Sequence, residues 1–209
     1  MNDLLSFLAA SPSRFHAVAN FGSALEERGY VRLSEGRAWD IVPGGKYYVT
    51  RNAPALLAVR VPRGDCAGFM IAASHSDSPT CRVKENAELS GPDGYIRVNT
   101  EGYGGMLCAP WLDRPLTVAG RVLVRVGDAI ETRLVYVDRD LLLIPNVAIH
   151  MNREANSGYK YDMKRDIVPP MASGDAKRAR RGQVPHDPGV APADHVGRDL
   201  SPAPPATTV

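Results

Sequence analysis

A histidine and an aspartate two residues apart, placed directly after an apolar run, constrain this chain more than any other feature. Residues 68–73 are too few for a free-standing helix and are typical of a buried strand, and His75 and Asp77 follow them. Open α/β sheets place their chemistry at the carboxyl ends of strands. An imidazole can bind a metal through one ring nitrogen while a carboxylate accepts a hydrogen bond from the other. A histidine that only caps the strand end is the alternative interpretation.

The residues before this run predict a helix followed by strands. Apolar residues recur at helical spacing after the capping hydroxyl of Ser13, and Gly29 ends the pattern. Residues 47–50 and 56–61 are typical of strands. A helix followed by strands, the last of which ends at His75, predicts an α/β layer.

The middle of the chain reads as mostly β, and its end as disordered. No convincing helix pattern interrupts the β-rich segments, and beyond Pro170 the chain has no aromatic residue and is rich in Ala, Pro, Asp and Arg. The predicted fold is therefore α/β, with a layer of helices and strands over residues 1–84, a β-rich domain over 85–170 and a tail over 171–209. The β-rich segments are residues 95–99, 116–126, 133–137 and 147–150.

The composition argues against several classes of function and binding site. The net charge of +2 gives no case for a nucleic-acid partner, and no apolar run approaches the roughly 20 residues that cross a bilayer. Cys66, Cys81 and Cys108 are odd in number and form no paired-cysteine motif, so neither a disulfide framework nor a thiolate zinc cage is indicated. Reduced thiols are typical of a cytoplasmic protein.

Three further motifs allow more than one interpretation. The glycine-rich residues 102–105 lack the pattern of a phosphate-binding loop, which favours a tight turn. Residues 111–114 contain a candidate structural ion pair, and His16 is interpreted as a packing or capping residue of the first helix. His150 closes the apolar run 144–149, where it is either a positioned proton donor or a strand-end residue.

Six motifs in register give the chain a resemblance to a known family. From about residue 4 to about residue 168 it closely resembles the aspartyl aminopeptidase family of dinuclear zinc aminopeptidases. The motifs that carry the resemblance are residues 13–17, 43–48, 73–79, 99–105, 111–116 and 138–153.

The resemblance implies a fold, a reaction and a set of site residues. It implies a metallopeptidase domain, here an incomplete mixed sheet with helices, interrupted by a β-rich dimerisation domain, in a homo-oligomer that reaches a dodecamer. His75 would be a zinc ligand, Asp77 would orient the site, and His150 would reach into the active site of a neighbouring subunit to help bind the substrate or the developing oxyanion. The reaction would be the removal of an N-terminal Asp or Glu from a peptide, with water activated by two zinc ions.

The chain departs from the family in its last third. The remaining ligands and the general base are expected after the β-rich insertion, yet no Glu follows Glu154, and His186 and His195 lie in the Pro-rich tail. We therefore expect a truncated chain without activity of its own, from a reading-frame slip or a shortened gene. The alternative function is a non-catalytic oligomerisation remnant that pairs with itself or with full-length aminopeptidase subunits.

Overall fold

The computed structural model describes residues 2–173 and 207–208, and within them the chain divides into two compact units. The first unit contains the residues up to Ser78 and the hairpin segment Gly120–Leu134. The second contains Pro79–Ala119 and the described residues from Val135 onward. The domain boundary placed at residue 84 from the sequence stays a prediction, because contact units alone do not show which parts fold independently.

The first unit packs two helices and a mixed three-stranded sheet. The α2 helix begins after Ser13, whose hydroxyl accepts a hydrogen bond from the backbone N–H of His16, and Gly29 takes a positive φ of 78° just beyond its end. The sheet has the order β1-β2-β3, parallel between β1 and β2 and antiparallel between β2 and β3, so the mixed α/β class is confirmed. The elements are α1 (Asn2–Ala9), α2 (Arg14–Glu26), β1 (Val31–Leu33), β2 (Lys46–Arg51) and β3 (Ala55–Arg60).

A tyrosine joins the helix to the sheet in this unit. Tyr48 is buried in β2, and its ring lies against Gly22 of α2, where an added Cβ would stand 3.3 Å from the phenolic oxygen. The same hydroxyl donates a hydrogen bond of 2.5 Å to Glu26. Burial and this carboxylate raise the pKa of Tyr48, so the phenol stays protonated and keeps its bond to the helix end.

The second unit is built mostly from antiparallel strand pairs, with one parallel pairing between the strands at residues 115–117 and 207–208. A long hairpin is joined on one edge by the strand that follows Pro169, and a shorter sheet lies elsewhere in the unit. The β7–β8 hairpin belongs mainly to the first unit. The strands are β4 (Thr80–Ser90), β5 (Tyr95–Tyr103), β6 (Pro115–Thr117), β7 (Ala119–Val126), β8 (Ala129–Tyr136), β9 (Leu142–Leu143), β10 (Pro170–Ser173) and β11 (Thr207–Thr208).

One hydrophobic core fills the second unit. Its last members come from the segment just before β10, which the β5 strand holds in place: the Thr100 hydroxyl donates to the carbonyl of Ile167, and the Val98 N–H donates to the carbonyl of Pro169. These bonds satisfy buried backbone groups that otherwise cost free energy. The core residues are Cys81, Val98, Trp111, Leu116, Leu142, Ile144 and Ile167.

The predicted buried strand over residues 68–73 is wrong. The structure leaves this segment without regular secondary structure, and Phe69 and Ile71 are 88% and 85% exposed. A buried strand needs a hydrogen-bonded neighbour, and no described strand pairs with this segment, while β3 pairs only with β2. The apolar pattern of residues 68–73 is therefore suited to a buried strand, but no neighbouring strand is present among the described residues to pair with it.

Two other expectations also differ from the structure. Residues 147–150 form no strand, because Pro145 lacks a ladder donor and the Asn146 side chain captures the next N–H. A turn follows over residues 149–151, and the N–H groups of Met151 and Asn152 both donate to the carbonyl of Ala148. Of the predicted tail, Met171–Ser173 belong to β10, and the rest apart from β11 lies outside the described residues. In the described part of the chain, no helix has the length and apolar character to cross a membrane.

Substitutions of two adjacent leucines in β9 can test whether the hydrophobic core of the second unit lies where the structure places it. Leu142 is 4% exposed and Leu143 is 43% exposed. We expect Leu142→Ala to lower the free energy of unfolding by about 2–4 kcal/mol, because it leaves a cavity, and Leu143→Ala to lower it by less than about 1 kcal/mol. Urea denaturation measures both, and equal effects of the two substitutions would place the core elsewhere.

Candidate active site

The His75–Asp77 pair forms a local hydrogen-bonded unit. Nδ1 of His75 lies 2.8 Å from the backbone carbonyl oxygen of Asp77 and 3.2 Å from its carboxylate Oδ1. A carbonyl and an ionised carboxylate only accept hydrogen bonds, so Nδ1 must carry the proton. In the neutral ring, Nε2 then presents its lone pair, and the side chain is 82% exposed. This is the arrangement in which an imidazole can bind a metal.

The residue between them attaches the pair to the β2–β3 turn. The Ser76 hydroxyl donates a 2.8 Å hydrogen bond to the carbonyl of Pro54. Asn52 and Ala53 of the same turn take positive φ angles of 49° and 70°. Such angles cost a non-glycine residue about 1 kcal/mol or more, so the surrounding contacts must hold the turn in this conformation.

An arginine from the β7–β8 hairpin supplies such a contact. Nη1 of Arg121 donates to the backbone carbonyl and side-chain oxygen of Asn52 at 2.8 and 3.1 Å, and its guanidinium lies 4.7 Å from the centre of the Phe15 ring. Arg14 lies against the same ring at 5.1 Å. Sequence reasoning missed Arg121, because the chain between residues 52 and 121 carries no local pattern that links them.

His150 lies on an exposed turn of the second unit. Asp113 holds the start of that loop: its carboxylate accepts a 2.8 Å hydrogen bond from the Asn146 N–H, and its own N–H donates to the carbonyl of Ile144. Asp113 adopts a φ of 55° to make both contacts. The Asp113 carboxylate thus stabilises the start of the loop. Arg114 donates to the Pro110 carbonyl instead of forming the ion pair with Asp113 that was considered from the sequence.

The described residues bring together only part of a metal centre. His75 and Asp77 are in contact, whereas His150 belongs to the other compact unit. No group of three or more His, Cys, Asp and Glu side chains converges within residues 2–173 and 207–208, and a dinuclear zinc site needs more ligands than one imidazole supplies. His186 and His195 lie outside the described residues.

His16 is a structural residue of the first helix. Its ring is buried, and Nδ1 lies 2.7 Å from the Ser13 hydroxyl that caps the helix. Burial lowers the pKa of His16, which favours the neutral ring. The interpretation of this histidine as a packing or capping residue is confirmed.

Known proteins with similar sequences are aminopeptidases. Residues 7–186 match the family model described as aminopeptidase I zinc metalloprotease (M18). A probable M18 family aminopeptidase 2 of Clostridium acetobutylicum is 46% identical over 170 residues, which cover 79% of this chain and 39% of the relative. The chain therefore spans about two fifths of the length of the curated relatives it matches.

Solved structures show the same relationship. Ape4, in a cryo-EM structure of the Ape4 and Nbr1 complex, superposes with a TM-score of 0.78 at 38% identity, covering 83% of this chain and 34% of that one. The S. cerevisiae mApe1 dodecamer superposes with a TM-score of 0.69 at 26% identity, covering 86% of this chain and 39% of that one. Both matches extend over most of this chain and a minority of the other.

The contacts of His75 predict its tautomer. We expect the neutral ring to carry its proton on Nδ1, because both nearby atoms of Asp77 are acceptors, and NMR of the ring ¹⁵N nuclei at alkaline pH measures this directly. His150, on its exposed turn, is the internal comparison. A neutral His75 protonated on Nε2 would contradict the geometry and remove the case for Nε2 as a metal ligand.

Proposed function

Because the chain belongs to the M18 family of zinc aminopeptidases, we propose that it takes part in the removal of N-terminal Asp or Glu residues from peptides. The observation that carries the proposal is the His75–Asp77 unit, in which the family's His-x-Asp motif has one ring nitrogen engaged and the other exposed. The acidic specificity rests on the resemblance of the motifs to aspartyl aminopeptidases.

His75 and Asp77 would have distinct roles in that reaction. His75 would bind zinc through Nε2, and Asp77 would hold the ring orientation and increase the basicity of Nε2 by accepting a hydrogen bond from Nδ1–H. Ser76 would keep the pair on the β2–β3 turn through its bond to Pro54. When bound there, zinc would supply a Lewis acid that polarises a carbonyl and lowers the pKa of bound water.

The rest of the metal site would come from residues that correspond to the part of the relatives outside the matched region. The described residues place one candidate imidazole, that of His75, beside Asp77 and form no converging group of three ligands, while the matched region covers 39% of the Clostridium acetobutylicum relative. We assign the remaining ligands of a two-zinc site, and the general base, to the other part of the relatives. A general base must stand within hydrogen-bond reach of the water it deprotonates, so its place in the full site decides the activity.

His150 would act on a neighbouring subunit in a cytoplasmic homo-oligomer. It stands on an exposed turn whose start is held by two hydrogen bonds to Asp113, so the ring is presented outward on a supported loop. An imidazole there can donate a hydrogen bond to a substrate carboxylate or to the developing oxyanion. The yeast relative, solved as a dodecamer, supports assembly in this family.

A second candidate function is assembly without catalysis. The second unit contains a cluster of seven buried core residues, whereas residues 68–73 of the first unit expose large apolar side chains. A chain of this kind could pair with itself, or with full-length aminopeptidase subunits, through its β-rich part. His150 would then be its contribution to the active site of a partner subunit.

A chimera tests the catalytic proposal. Residues 7–173 of this chain replace the matching region of the Clostridium acetobutylicum relative, which restores a chain of full family length. We expect hydrolysis of peptides with N-terminal Asp or Glu, a loss of about 10–100-fold in zinc affinity and kcat/KM on Asp77→Asn, and a larger loss on His75→Gln. The exposed Asp65, on the same connecting segment, provides the matched control Asp65→Asn, which should leave both unchanged.

Two results of that experiment would refute the assignments. A zinc content and a kcat/KM unaffected by His75→Gln would exclude His75 as a ligand. Equal activity on peptides with N-terminal Asp and Ala would leave the aminopeptidase assignment standing and reject the acidic specificity.

The assembly candidate makes a separate prediction about the 209-residue chain. If its β-rich part drives association, light scattering after gel filtration should show one discrete oligomer, and the substitutions Phe69→Ser and Ile71→Ser should leave its mass unchanged. Exposed apolar strand-like segments instead favour open-ended association. A polydisperse sample that these two substitutions convert to monomer would therefore reject the assembly function.

A further inference from the structure

Sulfur-containing side chains converge at one edge of the second core. Cys108 and Met163 are in direct contact, with Sγ and Sδ 3.6 Å apart. Met106 packs against the same core, and all three side chains are partly buried. The convergence joins residues 55 positions apart, so it depends on the tertiary fold of the unit and not on a local motif.

We propose that Cys108, Met106 and Met163 form a binding site for one soft monovalent metal ion, of which Cu(I) is the biological example. Thiolate and thioether sulfurs are the ligands that select Cu(I), and harder divalent ions prefer imidazole and carboxylate. This site belongs to the second unit, whereas His75 and Asp77 belong to the first. It is independent of the proposed peptidase function.

The spacing of the sulfurs suits a shared ion. With metal–sulfur bonds of about 2.3 Å, two sulfur ligands of one tetrahedral centre stand roughly 3.8 Å apart. The observed 3.6 Å between Cys108 and Met163 is close to that separation. The two side chains therefore require little movement to bind the same ion.

Both methionines lie beside Gly102, the first glycine of the 102–105 motif. A Cβ on Gly102 would stand 2.7 Å from the Met163 methyl group, 3.6 Å from Met163 Sδ and 3.7 Å from Met106 Sδ. Gly102 has no positive φ that would require glycine, unlike Gly104 with its φ of 76°. The first glycine of the 102–105 motif thus leaves space for the methyl group of Met163, with the sulfurs of Met163 and Met106 in van der Waals range, and Gly104 supplies the predicted turn.

Charge balance favours a monovalent ion at this place. Binding converts the Cys108 thiol to a thiolate and releases its proton to solvent, so one thiolate and Cu(I) together carry no net charge. A neutral complex avoids most of the cost of placing an ion beside the apolar core formed by Trp111 and Ile167. A divalent ion with the same ligands would leave one positive charge uncompensated.

Cys81, the other cysteine of this core, is not assigned as a ligand. Cys81 is 0% exposed, and burial together with the nearby Cys108 raises the pKa of its thiol to about 11. That thiol stays protonated, whereas Cys108 is partly exposed and adjoins the exposed Leu107. An ion that enters from solvent can therefore reach the Cys108 thiol, and the buried Cys81 thiol is not accessible to it.

Competition for Cu(I) tests the site on the 209-residue chain. The exposed Cys66 is first replaced (Cys66→Ser) in every protein, and anaerobic Cu(I) is titrated against bathocuproine disulfonate, whose absorbance reports the metal it keeps. We expect one Cu(I) per chain, with the affinity lowered about 10–100-fold by Met163→Leu and by Met106→Leu, and more by Cys108→Ser. Zinc in excess should not displace the ion.

A matched methionine controls for non-specific binding. Met151→Leu removes an exposed thioether outside the cluster and should leave the affinity unchanged. Leucine nearly conserves the volume of methionine, so the methionine variants are expected to fold even if Cys108→Ser does not. An affinity that Met163→Leu leaves unchanged, or that Met151→Leu lowers equally, would overturn the proposal.

Discussion

Burial of Ile167 against the β4–β5 hairpin is the contact on which the second unit depends. The segment that carries Ile167 is more than 60 residues from β5 in sequence, and it is held by the bonds from Thr100 and Val98 to its carbonyls. Closing such a loop costs entropy, which the apolar core must offset. Once closed, it brings Met163 against Cys108 and continues into β10 on the edge of β5. Without that closure the sulfur cluster would not exist.

The same core supports the loop that presents His150. Ile144 is buried in it, and the carbonyl of Ile144 accepts the hydrogen bond from Asp113 that begins the loop. The strained φ of Asp113 is tolerated because its N–H and its carboxylate each gain a partner there. Because the start of the loop is already fixed by these hydrogen bonds, little further conformational entropy is lost when the His150 side chain binds a partner. The proposed role of His150 across a subunit interface depends on that support.

Prediction from the sequence succeeded where the determinants are local. Ser13 and Gly29 bound the first helix through backbone bonds within a few residues, and strands β2 and β3 follow from short apolar patterns beside a turn. It failed for residues 68–73 and 147–150. The first is an apolar segment without a described neighbour, and the second forms no strand because Asn146 competes for a strand donor. The long β4 strand was missed because its charged residues, among them Arg82, Lys84 and Glu85, hide any apolar pattern.

The sequence by itself determined the family and the pairing of His75 with Asp77. Two residues of spacing place the ring nitrogen beside the aspartate, and no distant contact is needed for that bond. Only the tertiary structure decided that Arg121 supports the turn below the pair, that Asp113 holds the His150 loop, and that Met106, Cys108 and Met163 converge. Those contacts join residues that are far apart in the chain. Their formation depends on which surfaces the core can bury, and a local pattern does not encode it.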